Sequence, residues 1–250
     1  MLTHGWQSSG RIDWILKSKT EFLQLKDCNF IAIDWGTIAA DVNYPEVVLN
    51  TPTIGRYVAT FVDYLYTEGD LNFTSLYVTG HSIGAHVMGI MGSNVQNGRV
   101  GRITGLDPAG PGFQTASDDF RIERSDAVFV DIIHTNVCSL KDICLGLPGS
   151  YGHVDFFPNG GDSQPGCASQ GPLADAISGC SHSRAHQYWL ESINGVTNFK
   201  SVPCPDWDSY RAGLCVSCGQ GCLNMGVHVN DQLTGSYFLE TYAVSPYAKG

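Results

Sequence analysis

Ser82 lies in VTGHSIGAH (78–86), the only G-x-S-x-G in a chain of 250 residues. That spacing does chemistry where a strand runs into a sharp turn and a helix follows. The turn holds the serine in a strained backbone and exposes its hydroxyl above a sheet. Here LYVT precedes the motif and IGAHVMGIMGSNV follows it, so the context is of that kind. Glycines at 80 and 84 remove side chains that would collide with the adjoining strand and helix. A helix starting there also leaves free N–H groups near an oxygen that becomes negative during attack on a carbonyl. The alternative is a serine in a tight structural turn.

A hydroxyl at neutral pH needs a base, and the base needs an orienting acid. In an α/β sheet both come from the ends of later strands, in the order Ser, Asp, His. Asp107 ends VGRITGLD and enters the turn PAGPG, which makes it the candidate acid. Asp131 and Asp155 sit inside apolar alternation, where a strand edge or a buried hydrogen bond accounts for them. His134 ends a strand and reads as structural, and His228 lies near the end of the chain. Position leaves two bases open: His182, in a polar stretch after Cys180, and His153, before the apolar run VDFF. At the start of the chain HGW (4–6) is a glycine turn able to offer a backbone N–H to an oxyanion, or an ordinary loop.

The elements that must position these groups are short β-rich runs separated by helical patterns. NFIAIDWG (29–36), LYVTG (76–80), VGRITGLD (100–107) and DAVFVDIIHT (126–135) read as strands. Ile54, Val58, Phe61, Val62 and Leu65 make one helical stripe between the first two, and 83–95 is a helix of small residues between the second and third. Strands alternating with helices predict an α/β fold with a mostly parallel sheet covered on both faces, in a single domain over 1–250. Beyond about Val137 the pattern breaks into Gly-, Pro- and Cys-rich loops around a helix at 181–193, and those loops are where substrate selection is expected.

Composition narrows the classes. The formal charge is −10 with Lys and Arg scattered, which excludes a phosphate-neutralising face and hence nucleic acid as a partner. No apolar run reaches the ~18 residues of a membrane span, and MLTHGWQSSG is not a signal peptide. Nine cysteines at local spacings instead predict disulfides and an oxidising compartment: Cys138–Cys144, Cys167–Cys180, Cys204–Cys215 and Cys218–Cys222. A zinc site on the last four cysteines is the competing reading. Cys28 is left over, with a partner expected upstream of Met1. One glycosylation sequon, Asn72-Phe73-Thr74, lies in a polar turn.

The runs HGW, IAIDW, VTGHSIGAHVMG, GRITGLDPAGPGF, SDAVFVDIIHT, GHVDFFPNGG, PGC and CSHSRAHQYW together resemble the pancreatic lipase family, nearly end to end. The resemblance implies an α/β-hydrolase fold, with Ser82 as nucleophile, Asp107 as acid and His182, not His153, as base. It implies oxyanion donors at the backbone N–H of Trp6 and Ile83, and a lid closed by Cys167 and Cys180. No cofactor is required, but a structural calcium falls on Asp118, Arg121 through its carbonyl, Glu123 and Asp126. The implied reaction is hydrolysis of a lipid ester at a membrane or lipid droplet by a secreted enzyme. A lid of twelve residues, ASQGPLADAISG, is similar to that of the phospholipases A1, whereas the loop over 136–151 is as long as in triacylglycerol lipases. A non-catalytic, yolk-type lipid binder is the remaining alternative. The family's N-terminal strands, including the one feeding the HGW turn, are expected to be missing, and with no C-terminal β-sandwich no colipase is expected.

Overall fold

The computed structural model describes residues 1–137, 144–167, 172–215, 218 and 221–250. Among them, nine strands run as β1 (Leu2–Thr3), β2 (Ala32–Ile33), β3 (Tyr77–His81), β4 (Arg102–Leu106), β5 (Phe129–Ile133), β6 (Val154–Pro158), β7 (Lys200–Pro203), β8 (Leu223–Asn224) and β9 (Gly235–Leu239). The helices are α1 (Asp13–Leu25), α2 (Gly36–Ala39), α3 (Tyr44–Glu68), α4 (Ile83–Asn94), α5 (Pro172–Ser178), α6 (Cys180–Asn194) and α7 (Trp207–Arg211). The strands form one sheet in the order β2-β1-β3-β4-β5-β6-β9-β7-β8. Pairing is parallel from β2 to β9 and turns antiparallel at β7 and β8.

Both faces of the sheet are covered, as its nearly continuous apolar strands require. On one face Ile103, Val130 and Ile132 pack with Val47, Ile54, Val58, Val87 and Met91 of α3 and α4. On the other, Leu106, Phe129, Ile133 and Phe156 pack with Trp14, Ile15 and Phe22 of α1 and with Tyr188, Trp189 and Ile193 of α6. α4 is buried nearly all round, so its small residues set how closely it can be approached. At Gly55 of α3 an added Cβ would lie 2.7 Å from Ile90, which fixes the α3–α4 contact at backbone range. The stripe expected on α3 is buried at Ile54, Val58 and Val62, but Phe61 and Leu65 lie at its margin, and the face extends instead to Val47, Val48 and Thr51.

Two expectations are corrected. The strand feeding HGW is present: Leu2–Thr3 pairs in parallel with Ala32–Ile33 on one side and Thr79–Gly80 on the other. Two residues are too few to show period-2 alternation, so nothing in the sequence marked them as a strand. The region beyond Val137 is also not loops alone. It supplies β6 and β9, which extend the parallel sheet, because half-buried alternation is weak where both faces are covered.

Candidate active site

The C-terminal ends of β3, β4 and β5 lie side by side, and the ladder continues past them. Ser82 N–H donates to Leu106 O at 3.0 Å and Asp107 N–H to Ile133 O at 2.8 Å. Ser82 thus follows β3 directly and Asp107 follows β4, one strand away. Ser82 has φ 59 and ψ −128, a region that costs a non-glycine residue of order 1–3 kcal/mol and persists only where its surroundings over-determine it. Those surroundings are glycines: a Cβ at Gly80 would lie 2.2 Å from Gly84 O, and one at Gly84 2.3 Å from His4 O.

Asp107 is fully buried and its two oxygens have separate partners. Oδ1 accepts from Thr135 N–H at 2.7 Å and Asn136 N–H at 3.1 Å, which fixes the carboxylate plane. Oδ2 accepts from His182 Nδ1 at 2.6 Å. His182 stands in the first turn of α6, and with its Nδ1 proton held by Asp107 the other ring nitrogen is the proton acceptor. Ser82 and His182 line one cleft of about 600 Å³ with Trp6, Tyr44, Leu145 and Ile177. Among the described residues no hydrogen bond joins Ser82 Oγ to His182, a contact that in ligand-free sites tightens when substrate binds.

The HGW turn passes over the serine: a Cβ at Gly5 would lie 2.7 Å from Ser82 Cβ. His4 anchors the turn, its Nδ1 against Gly5 O at 2.9 Å and its carbonyl accepting from Trp35 Nε1 at 3.1 Å. Trp6 Nε1 donates to Asp41 O at 2.7 Å, and Gln7 N–H to Ala39 O at 2.8 Å. The turn is therefore held at both ends. Ile83 opens α4, so its N–H has no carbonyl within that helix.

The other sequence candidates lie elsewhere. His153 precedes β6, at the end of the sheet away from Ser82, where Nδ1 accepts from Val130 N–H at 3.0 Å. His134 pairs with Asp155 at 2.8 Å, and Asp131 takes the Arg102 guanidinium at 2.8 Å. His228 meets Ile193 O at 2.9 Å. Each is engaged within the fold and away from Ser82, although the other ring nitrogen of His134, Nδ1, is buried without a hydrogen-bond partner.

Sequence reasoning missed two imidazoles at the cleft. His81 places Nε2 3.1 Å from His182 O, with ring centroids 4.5 Å apart, and His186 stacks on Trp14 at 5.0 Å. Burial, then repulsion from neighbouring imidazoles, pushes His81 well below the usual histidine range; burial, then His182, pushes His186 to about 3. Both are neutral at physiological pH, so neither opposes a positive charge forming on His182. The i, i+4 spacing of His182 and His186 on a helix was the available signal.

Cys167–Cys180, Cys204–Cys215 and Cys218–Cys222 are disulfides, which leaves those cysteines no thiolate for zinc. The Cys138–Cys144 pairing involves Cys138, outside the described residues; Cys28 is free. α5 lies within the Cys167–Cys180 segment, and its buried Asp175 accepts from Ser181 N–H at 2.9 Å and Ser181 Oγ at 2.6 Å, tethering it beside His182.

The expected calcium residues lie in one loop, where Arg121 spends its guanidinium on Asp118 and Glu123 at 2.8 and 2.9 Å. Only its carbonyl is left for a metal. Glu123 and Asp126 cap each other, Asp126 Oδ2 accepting from Glu123 N–H at 2.7 Å. Burial chiefly, opposed by the Glu123 N–H bond and helped by Glu123 and Asp118, raises Asp126 to about 8. The side chains of Asp118, Glu123 and Asp126 do not gather within 4.8 Å, so a cation there would draw on carbonyls as well. An all-oxygen set around an under-neutralised carboxylate fits calcium in kind.

The family model described as Lipase matches residues 1–247. Pancreatic lipase-related protein 3 of Homo sapiens is 36% identical over 267 residues, covering 98% of this chain and 56% of that protein. Pancreatic lipase-related protein 2 of Cavia porcellus is 35% identical, with 99% and 57% covered, and inactive pancreatic lipase-related protein 1 of Homo sapiens 33%, with 99% and 56%. The chain spans a little over half the length of these relatives. With the nine-stranded, mostly parallel sheet and its flanking helices, the match places the chain in the pancreatic lipase family, with an α/β-hydrolase fold.

Proposed function

We propose that the chain is the catalytic part of a secreted carboxylic-ester hydrolase of glycerolipids, acting through an acyl-enzyme, with phospholipase A1 activity favoured over triacylglycerol lipase activity. The observation that carries this is the 2.6 Å bond from His182 Nδ1, in the cleft that holds Ser82, to a buried, doubly amide-fixed Asp107. Ser82 Oγ attacks the ester carbonyl and its proton passes to His182 Nε2. The N–H groups of Trp6 and Ile83 take the oxyanion. The imidazolium then protonates the departing glyceride oxygen, leaving an acyl-serine. Water attacks in turn, His182 accepting its proton and returning one to Ser82. Three disulfides support an extracellular setting.

The lid supports the phospholipid reading. Cys167 and Cys180 are 13 positions apart, and a lid that short suits a substrate with a polar head group. Hydrolysis of phosphatidylcholine is expected to exceed that of a long-chain triacylglycerol, with Ser82→Ala as the blank; the reverse preference overturns the phospholipase assignment. A second reading is a fold that binds lipid without catalysis, since one relative carries the name inactive. Covalent labelling of Ser82 by a fluorophosphonate separates the two, and an unlabelled folded protein sinks the hydrolase.

Leu173 and Ile177, four residues apart on α5, are 58% and 79% exposed, and Ile177 lines the cleft. They present an apolar face beside the entrance, suited to a lipid surface. Burying one such side chain is worth roughly 1.5–3 kcal/mol. Ile177→Asp is therefore expected to lower turnover of vesicle phospholipid about tenfold or more. Hydrolysis of a soluble short-chain ester should stay within about twofold, and equal losses on both would show that Ile177 does not meet the interface.

We further propose that Asp118, Glu123 and Asp126, with the Arg121 carbonyl and other backbone carbonyls, hold a structural calcium. A folded-state carboxyl raised to about 8 binds its proton more tightly than the unfolded chain does, so stability falls as pH rises from the ordinary carboxylate range through 8. Without calcium, the melting temperature should drop across that window, and Asp126→Asn should flatten the drop. Calcium at pH 8 should raise the melting temperature of the parent but not of Asp126→Asn, whereas no response of the parent to calcium or chelator removes the site.

A further inference from the structure

We propose that Asn72 carries an N-linked glycan, a modification that rests on the secretory reading above. Asn72-Phe73-Thr74 is the one N-x-S/T in the chain. The folded protein leaves its amide available. Asn72 and Thr74 are exposed while Phe73 between them is buried, so the turn is pinned by its middle residue and offers both outer ones to solvent. Thr74 N–H and Thr74 Oγ1–H both donate to Asn72 Oδ1, at 3.0 and 2.8 Å, and the Asn72 carbonyl accepts from Ser75 N–H at 3.1 Å and Ser75 Oγ at 2.9 Å. The oxygen side of the residue is thus fully engaged. No described residue accepts from Nδ2, the atom that a sugar would substitute.

The placement makes the modification compatible with the proposed reaction. Asn72 caps the short helical turn Phe73–Ser75 that leads into β3, whereas Ser82 follows the other end of the same strand. Five residues at about 3.3 Å each put the sheet's depth, ~15 Å, between the two ends. A glycan at Asn72 leaves the cleft open and projects from the end of the sheet remote from Leu173 and Ile177. A bulky hydrated chain on the cleft side would keep that apolar face off a lipid surface; on this side it does not.

The chemistry needs a donor of one class, a lipid-pyrophosphate-linked oligosaccharide. Asn72 Nδ2 forms a bond to the anomeric carbon, the bond from that carbon to the pyrophosphate oxygen breaks, the lipid pyrophosphate leaves, and one Nδ2 proton passes to the transferase. Nothing is oxidised or reduced.

The test is expression of the protein in eukaryotic secretory cells behind a cleavable secretion signal, with recovery from the medium and intact mass before and after peptide-N-glycosidase F. One enzyme-sensitive glycan is expected, with Asn72 read as Asp in the released peptide. Asn72→Gln and Thr74→Val should each abolish it and Thr74→Ser retain it in part. Ester hydrolysis by Asn72→Gln should remain within about twofold of the parent, since no group of the cleft is touched. Secreted, active protein with Asn72 unmodified overturns the glycan and leaves the hydrolase standing; labelled Asn72 on a protein inert to fluorophosphonate does the opposite.

Discussion

Ser82→Ala and His182→Ala are each expected to lower kcat about 10⁶-fold, and the double variant to lose no more than either alone. The reason is that a serine hydroxyl without a base and a base without a nucleophile are equally useless, so the second deletion removes nothing still at work. What survives is the part that does not pass through the pair: substrate held in the cleft and an oxyanion stabilised by the N–H groups of Trp6 and Ile83. The measurement is pre-steady-state hydrolysis of a soluble ester by the two singles and the double. Losses that multiply would show the two side chains acting independently and would remove His182 from its role as base.

Asp107→Asn is expected to lower kcat by about 10⁴ with little change in KM. Its Oδ1 already accepts two backbone N–H groups, Thr135 at 2.7 Å and Asn136 at 3.1 Å. An asparagine keeps those bonds by placing its carbonyl there, and so turns its NH₂ toward His182. His182 must then present a bare Nδ1 to that donor and carry its proton on the nitrogen needed for Ser82. The wrong tautomer, not a displaced ring, causes the loss, so crystal coordinates of the variant should be nearly unchanged while the rate collapses. A rate within tenfold of the parent would show that Asp107 does not set the tautomer.

How much of this could be read from residues alone varies with the length of the signal. The strand-turn-helix around Ser82 was legible because LYVT and the following helix are long enough to carry a pattern, and the structure gives β3 and α4 at those places. Asp107 was legible as the end of a strand. The base was not: position left His153 and His182 open, because which end of the sheet a histidine occupies depends on the direction of β6, and that depends on pairing beyond the local run. β1 was invisible at two residues. The close approach of Gly5 to Ser82 and the paired amides that fix Asp107 come from segments remote in the chain, and neither leaves a period or spacing to find. His186 was the avoidable omission, since it lies one helical turn from His182.

The stepwise bonds at the sheet's edge, Ser82 N–H to Leu106 O and Asp107 N–H to Ile133 O, carry a consequence for durability. Both amides belong to the ladder of the central strands, so they exchange with solvent deuterium only when that part of the sheet opens. The nucleophile and its acid cannot drift apart by a local fluctuation of one loop. Heat should therefore silence the protein and melt its sheet at the same temperature, and deuterium uptake at these two amides should be as slow as at the core of β4.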